Sequence, residues 1–161
     1  MFILAKDRLL LNDRDIDFEW IKYREYLHEN KSIYPPSAYA FATAEWHYNP
    51  NDHRCPHDSW VESFKIYEDF SGVRSEVRRT QISVELLGAY HDGYIKIDYV
   101  DVSNYSLSTQ SNSHGDWLYD EVRVSACGGV LHEIDFESSH WVIECSDIKC
   151  QWLAKPGGDG Y

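Results

Sequence analysis

The sequence predicts a mostly β fold at the margin of the α+β class. We expect an antiparallel β-sandwich or partly open barrel of about eight strands, with one N-terminal amphipathic helix packed on it. Short apolar segments with a period of two, separated by turn residues, recur from residue 37 to residue 154. Only residues 13–30 show a sustained helical period. The twelve Tyr and six Trp residues also favour strands, because aromatic rings suit half-buried sheet surfaces.

The length of 161 residues, with 43% hydrophobic and 26% charged residues, is typical of one globular domain. We therefore predict a single domain over residues 1–161. It contains a helix at 13–30, an antiparallel β region at 37–154 and a disordered tail at 155–161. Residues 2–11 carry two short apolar runs that fit either a small hairpin or one edge strand.

The helix at 13–30 is predicted from a continuous apolar stripe. Ile16, Trp20, Tyr23 and Leu27 fall at i, i+4, i+7 and i+11, which places them on one face of a helix. A stripe of this kind usually packs on a core. Pro35-Pro36 prevents the helix from continuing.

After the two prolines the period changes to two. In residues 38–44 alanines alternate with larger residues, which predicts a strand, although alanine also favours a helix. A further strand is predicted at 60–67. The dipeptide Asp92-Gly93 is typical of a type I′ turn, and a hairpin centred on it pairs Leu86 with Tyr99.

Two later hairpins can also be aligned by placing apolar residues on one face. A three-residue loop at 127–129 pairs Val122 with Ile134, and a turn at 137–140 pairs His132 with Cys145. Both His132 and Cys145 then face inward. We interpret them as core residues, because a buried thiol is usually inert and an inward histidine is usually hydrogen-bonded.

The outward side of these strands is predicted to carry an acidic face of Glu121, Glu133, Asp135 and Glu144. The alignment places Glu133 opposite Glu144, and Glu121 opposite Asp135. Like charges that face each other across neighbouring strands are destabilising. Such a face indicates either a binding surface for a basic protein or a solvated surface whose repulsion is screened by salt.

The formal net charge of −12 is concentrated in residues 81–161, which contain four basic and thirteen acidic side chains. This charge disfavours nucleic acid and anionic membrane surfaces as partners. No apolar run approaches membrane-spanning length, and the first residues lack the pattern of a signal peptide. We therefore predict a cytoplasmic protein whose four cysteines are not in disulfides.

The loop between Trp46 and Trp60 gathers His47, His53, Cys55 and His57, which are all side chains that bind zinc. The spacing is unfavourable, because only one residue separates neighbours in His53-x-Cys55-x-His57, whereas zinc sites usually leave two or more. Zinc at this loop is the one cofactor hypothesis that the sequence offers. Without it, no cofactor is expected.

Three functions follow from these features. The first is a noncatalytic binding or interaction protein of the inhibitor or immunity type, which binds a basic protein through the acidic face. The second is a metal-binding protein or metal-dependent hydrolase centred on the loop from His47 to His57. The third is a small-molecule binder with an aromatic-lined β-barrel. Bound metal would favour the second, and an aromatic cavity of ligand size would favour the third.

Overall fold

The computed structural model describes residues 2–4, 13–126 and 128–155, with side chains in the first helix described from Phe18 onward. Over these residues the chain forms two helices and eight strands. In chain order they are α1 (Asp13–Glu29), α2 (Pro36–Ala42), β1 (Trp60–Ser71), β2 (Val77–Leu87), β3 (Gly93–Val100), β4 (Asn104–Thr109), β5 (Trp117–Val124), β6 (Val130–Phe136), β7 (Ser139–Cys145) and β8 (Asp147–Ala154). Residues 5–11 and 156–161, on which parts of the N-terminal and tail predictions fall, lie outside the described residues.

The strands form two four-stranded antiparallel sheets. The first has the order β1-β2-β3-β8 and the second the order β4-β7-β6-β5. The inner faces meet, since the rings of Phe64 on β1 and Trp141 on β7 lie 5.1 Å apart. The predicted mostly β, antiparallel fold is confirmed, and both sheets are open rather than closed into a barrel.

The core lies between the two sheets and is formed by large apolar and aromatic side chains from both. Those exposed by less than 2% are Ile82, Leu86, Ile95, Ile97, Tyr99, Trp117, Ile134, Trp141, Ile143 and Ile148. Within the described residues, no helix is long and apolar enough to cross a membrane.

Helix α1 packs on the second sheet through the predicted stripe. Tyr23 and Leu27 are buried, and Trp20 packs against the same core cluster. The Tyr23 hydroxyl accepts a hydrogen bond from the Val122 amide at 2.8 Å and donates to the Val122 carbonyl at 3.1 Å. The Val124 amide likewise donates to the Tyr26 hydroxyl at 2.9 Å. Tyrosine hydroxyls therefore satisfy backbone groups at the free edge of β5, where a further strand would otherwise pair.

The strand predicted at residues 38–44 is wrong, because this segment forms α2. Proline suits the start of a helix because its φ is already helical. The backbone N–H that it lacks would have no partner within the helix at that position. Alanine supplies high helix propensity, and Ala38 and Phe41, one turn apart, are both buried. The helix lies against β8 and approaches β5, and the Ala38 amide donates to the Asp147 carboxylate at 3.0 Å. Thus α2 bridges the two sheets along one side.

The hairpin of β2 and β3 keeps its predicted faces, but its predicted register is wrong. Leu86 pairs with Ile95 instead of Tyr99. The connection is longer than a two-residue turn, and its positive φ is at His91 instead of Gly93. Since the slip is even, the same side chains still point inward. Gly93 is needed for another reason, because a Cβ there would overlap the indole ring of Trp152.

The two later hairpins show similar slips. Val122 pairs with His132 instead of Ile134, because the loop before β6 is longer than three residues. His132 pairs with Ile143 instead of Cys145, because only two residues connect β6 and β7. The inward set is nevertheless as predicted, and both His132 and Cys145 are buried.

Candidate functional site

A chain of four buried polar side chains crosses the core next to α2. His47, in the loop after α2, places Nε2 3.0 Å from the carboxylate of Asp120. Oδ2 of the same carboxylate lies 2.9 Å from His132 Nε2, and His132 Nδ1 lies 2.9 Å from the Tyr99 hydroxyl. All four residues are exposed by 2% or less. We call this set the His–Asp–His network.

Strand geometry brings these side chains together from both sheets. On β5 and β6, Val122 faces His132, so Asp120 is the diagonal neighbour of His132 on the same face. In a regular strand Trp117 and Asp120 would point to opposite faces. An irregularity between Trp117 and Tyr119 shifts the alternation of β5, so both side chains point inward. Tyr99 reaches the network from β3 of the opposite sheet.

The hydrogen-bond partners of His47 fix its protonation. Its Nδ1 lies 2.8 Å from the Phe41 carbonyl, which can only accept, and its Nε2 lies against the Asp120 carboxylate. Both ring nitrogens must therefore donate, so His47 is an imidazolium. Its ring stacks on Tyr48 at 4.1 Å and lies 4.2 Å from the ring of Phe41, and such contacts stabilise a cation.

The carboxylate of Asp120 carries the matching negative charge. Burial raises the pKa of Asp120, but the charge of His47 and the hydrogen bonds from both imidazoles outweigh burial and hold the pKa well below its usual range. The indole nitrogen of Trp117 donates to the same carboxylate at 3.2 Å. The buried pair of His47 and Asp120 is therefore neutral overall and fully hydrogen-bonded.

The inner end of the network is uncharged. Burial lowers the pKa of His132 despite its hydrogen bond to Asp120, so this ring is neutral, with its proton on Nε2. Its Nδ1 then accepts from the Tyr99 hydroxyl. Burial raises the pKa of Tyr99 far above its usual value, which keeps that hydroxyl protonated.

The outer end of the network forms the floor of a cleft of about 550 Å³. Helix α1 contributes Trp20 and Arg24 to one wall. The loop contributes Tyr48 and His57, and β5 contributes Tyr119 to the opposite wall. The rings of Trp20 and Tyr48 lie 4.5 Å apart, and the ring of His57 meets Tyr119 edge-on at 5.3 Å. The cleft is thus aromatic, and its volume is that of a small-molecule site.

Two positively chargeable groups stand at the rim of the cleft. Arg24 is exposed and forms no ion pair within the described residues. His57 is partly exposed, and its Nδ1 lies 3.0 Å from a carboxylate oxygen of Asp58. Cys55 also lines the cleft, but it is buried, and burial raises the pKa of its thiol to about 11. Its Sγ donates to the His47 carbonyl at 3.1 Å, so Cys55 is a structural thiol.

The four predicted zinc ligands have separate partners. His47 belongs to the His–Asp–His network, and Cys55 supports its backbone. His53 is bound to Asp92 and stacks on the ring of Tyr90 at 4.0 Å. In the part of the chain that the structure describes, no three His, Cys, Asp or Glu side chains are placed to hold a metal ion. The geometry therefore gives the zinc hypothesis no support.

The acidic face is not the exposed cluster that the alignment predicted, since Glu121 and Glu133 are buried, at 0% and 6% exposure. The carboxylate of Glu121 accepts from the amides of Phe2 and Leu4 at 2.5 and 2.8 Å, so the N-terminal residues cover it. The observed register places Glu121 opposite Glu133. Arg123 forms ion pairs with both, which offsets their repulsion.

The other two members of the predicted face are more accessible but also paired. Asp135 accepts from His140 Nδ1 at 2.5 Å and keeps a side chain that is 41% exposed. Glu144 accepts from the Ser125 hydroxyl at 2.7 Å. It faces Leu131 on β6 instead of Glu133, because the hairpin register differs by two residues. Whether this face binds a partner stays a prediction.

Sequence reasoning selected His47 and His57 but missed Asp120, Tyr99 and the α1 residues of the cleft. One sequence feature points to Asp120. It is an acidic residue at a position of the strand where the alternating residues, up to Val122, are otherwise apolar. A carboxylate at such a position needs buried hydrogen-bond donors.

No family model, no curated protein and no solved structure matches this chain. The functional assignment therefore depends on the geometry of the site.

Proposed function

We propose that this protein is a small, acidic, noncatalytic binding protein whose ligand site is the cleft above His47 and Asp120. The observation that carries the proposal is the combination of aromatic walls, a buried ion pair as floor and, at the rim, an arginine that forms no ion pair with any described residue. A cytoplasmic location, predicted from the sequence, is part of the proposal.

The cleft favours a planar ligand with an anionic group. Trp20, Tyr48 and Tyr119 offer ring faces and edges on which an aromatic system can pack. Arg24 can form a charge-assisted hydrogen bond with a carboxylate, sulfonate or phosphate. The negative charge of Asp120 is balanced by His47, so the floor does not repel an anion. The protein as a whole carries a net charge of −12 and repels anions. The positive rim of the cleft therefore makes it a local site where an anion is attracted.

The state of the floor supports binding over catalysis. Both nitrogens of His47 donate to fixed partners, and both oxygens of Asp120 accept from described side chains. A general acid or base needs a proton-transfer position directed at the substrate. These groups instead fix the shape of the cleft and hold its charge in place.

A fluorescence titration with 8-anilino-1-naphthalenesulfonate, an aromatic sulfonate, tests the proposal. Arg24→Gln should weaken binding roughly fivefold, which corresponds to about 1 kcal/mol for one exposed ion pair. The uncharged probe N-phenyl-1-naphthylamine should bind the variant and the parent alike. Arg74→Gln removes an exposed arginine outside the cleft and should leave both titrations unchanged. Equal sulfonate affinity in the Arg24→Gln variant and the parent would contradict the proposal.

A second candidate function is capture of a basic protein, as an inhibitor or immunity protein would do. The net charge of −12 supports it, as does the exposure that Asp135 retains on the outer face of the second sheet. Under this function, Asp135→Asn would slow association and reduce its salt dependence. The Arg24→Gln variant would bind the protein partner as the parent does, which separates the two functions.

A further inference from the structure

The distal part of the β1–β2 hairpin projects from the sandwich as a two-stranded ribbon. We call residues 65–79 the arm. All of them except Ser75 are exposed, on both faces of the ribbon. Its apolar side chains, exposed by 42% to 100%, are Ile66, Tyr67, Phe70, Val73 and Val77. An apolar surface of this extent indicates an interaction site.

Strand β1 is also a free sheet edge. It lies at the end of the order β1-β2-β3-β8, so one side of its twelve-residue backbone pairs with β2 and the other has no strand beside it among the described residues. Natural edge strands are commonly short or protected by proline, lysine or a bulge. In β1 the irregularity is confined to Val61–Ser63, and the exposed part holds no proline and one lysine.

We propose that β1 pairs in antiparallel fashion with β1 of a second copy of this chain, about a two-fold axis at Tyr67. In this register Lys65 lies opposite Asp69 of the second copy, and the symmetry repeats the pair. Phe64 lies opposite Phe70, also twice. Neither Lys65 nor Asp69 forms an ion pair within the described residues, so both are free for these contacts. The strand is complementary to itself in charge and in apolar groups.

Neighbouring registers lose this complementarity. A two-fold axis at Ile66 places Lys65 opposite Tyr67, and an axis at Glu68 places it opposite Ser71. A slip of one residue would turn one strand over relative to the other. Phe64 of one copy and Phe64 of the second copy would then lie on opposite faces of the joint sheet. Only the axis at Tyr67 combines the charge pairs with the aromatic pairs.

The same pairing accounts for the apolar inner side of the arm. Side chains alternate along a strand, so Phe64, Ile66 and Phe70 project to one face. Phe64 is covered by Trp141 of the second sheet, whereas Ile66 and Phe70 lie farther along the arm and are exposed by 42% and 65%. In the dimer, Phe70 would lie beside Phe64 of the second copy and near the second sheet of that copy. Ile66 and Phe70 thus gain a cover that the described residues of their own chain do not provide.

Charge exchange in the full-length chain tests the pairing by sedimentation velocity. The parent should be a dimer at roughly 100 µM. Lys65→Asp and Asp69→Lys should each weaken association by about tenfold or more, because each places like charges opposite one another twice. An equimolar mixture of the two variants should form a heterodimer, since all four charges are then paired with opposites. The double variant Lys65→Asp/Asp69→Lys should again form a homodimer.

Lys149→Asp is the matched control, because it makes the same charge change on β8, at the other edge of the same sheet, and should leave the dimer intact. Recovery in the mixture also shows that each single variant is folded. A monomeric parent, or single variants that dimerise like the parent, would overturn the pairing. A mixture that stays monomeric would overturn the register at Tyr67. Dissociation caused by Lys149→Asp would place the interface elsewhere and also overturn the proposal.

Discussion

The side of the sandwich that α2 bridges and the side that ends in the arm depart from ordinary burial in opposite ways. Next to α2, ionised and polar groups are buried, and each has hydrogen-bond partners inside the protein. In the arm, large apolar groups are exposed, and among the described residues nothing covers them. Buried charges and exposed apolar clusters are the informative exceptions to the usual distribution of residues. The comparison agrees with the two proposals made above, that the cleft on the α2 side binds a ligand and that the arm is completed by association with a second copy.

The largest expected effect comes from removing the charge of the buried carboxylate. Asp120→Asn leaves the His47 imidazolium buried without its counter-ion, so the free energy of unfolding should fall by about 3–5 kcal/mol. Urea denaturation measures this change. In the monomeric Lys65→Asp variant, where association makes no contribution, the same substitution in the arm, Asp69→Asn, should cost about 0.5 kcal/mol or less, because Asp69 is exposed. Similar losses at the two positions would contradict the distinction between the two sides.

A smaller effect is expected from acidification. The folded pKa of His132 lies below its usual value of 6.5, so the unfolded chain takes up a proton as pH falls through that value while the folded chain does not. The folded pKa of Asp120 also lies below its usual value of 3.8, and its stabilising charge is lost at still lower pH. Of the two groups, Asp120 gives the test, because the free energy of unfolding should decrease as the pH is lowered from about 5 to 3, where the unfolded carboxylate takes up its proton before the folded one.

The monomeric Lys65→Asp variant is the suitable protein for this measurement, because association then makes no contribution to the unfolding curve. Urea denaturation at several pH values gives the slope. A free energy of unfolding that stays constant or rises as the pH is lowered from about 5 to 3 would contradict the charge assigned to Asp120.

The smallest effect on folding is expected in the arm. Phe70 is 65% exposed, so Phe70→Ser should change the free energy of unfolding of the monomer by about 0.5 kcal/mol or less. The same variant should associate more weakly, because the proposed contact with Phe64 of the second copy is lost. Denaturation and sedimentation of one preparation measure both quantities. A large loss of stability with unchanged association would reverse the roles assigned to the two sides.

The sequence predicted the faces of the strands better than their alignment. The residues that point inward on β2, β3, β6 and β7 follow from a period of two, and the structure confirms them. Leu86 nevertheless pairs with Ile95 instead of Tyr99, and His132 with Ile143 instead of Cys145. A slip by an even number of residues leaves every side chain on the same face, so hydrophobic patterning cannot detect it. The lengths of the connecting loops decide the alignment.

Prediction of the candidate site was limited by contacts between distant segments. Residue type alone points to His47, but its partner Asp120 is 73 positions away in the sequence. The irregularity before Tyr119 also shifts the alternation of β5, so a simple period does not place Trp117 and Asp120 on the same inward face. The acidic face was overestimated because the covering of Glu121 by Phe2 and Leu4 is a tertiary contact that no local pattern encodes.

The position of α2 has a consequence for aggregation. A sheet with two free edges can add copies at both ends and grow into a fibre. In the first sheet, α2 packs against β8 and leaves β1 as the edge open to a partner. When two β1 strands pair, each edge is occupied and the eight-stranded product has a helix at both ends. Growth through the first sheet then stops at two chains, so a short helix that closes one side of the sandwich would also limit polymerisation through this sheet.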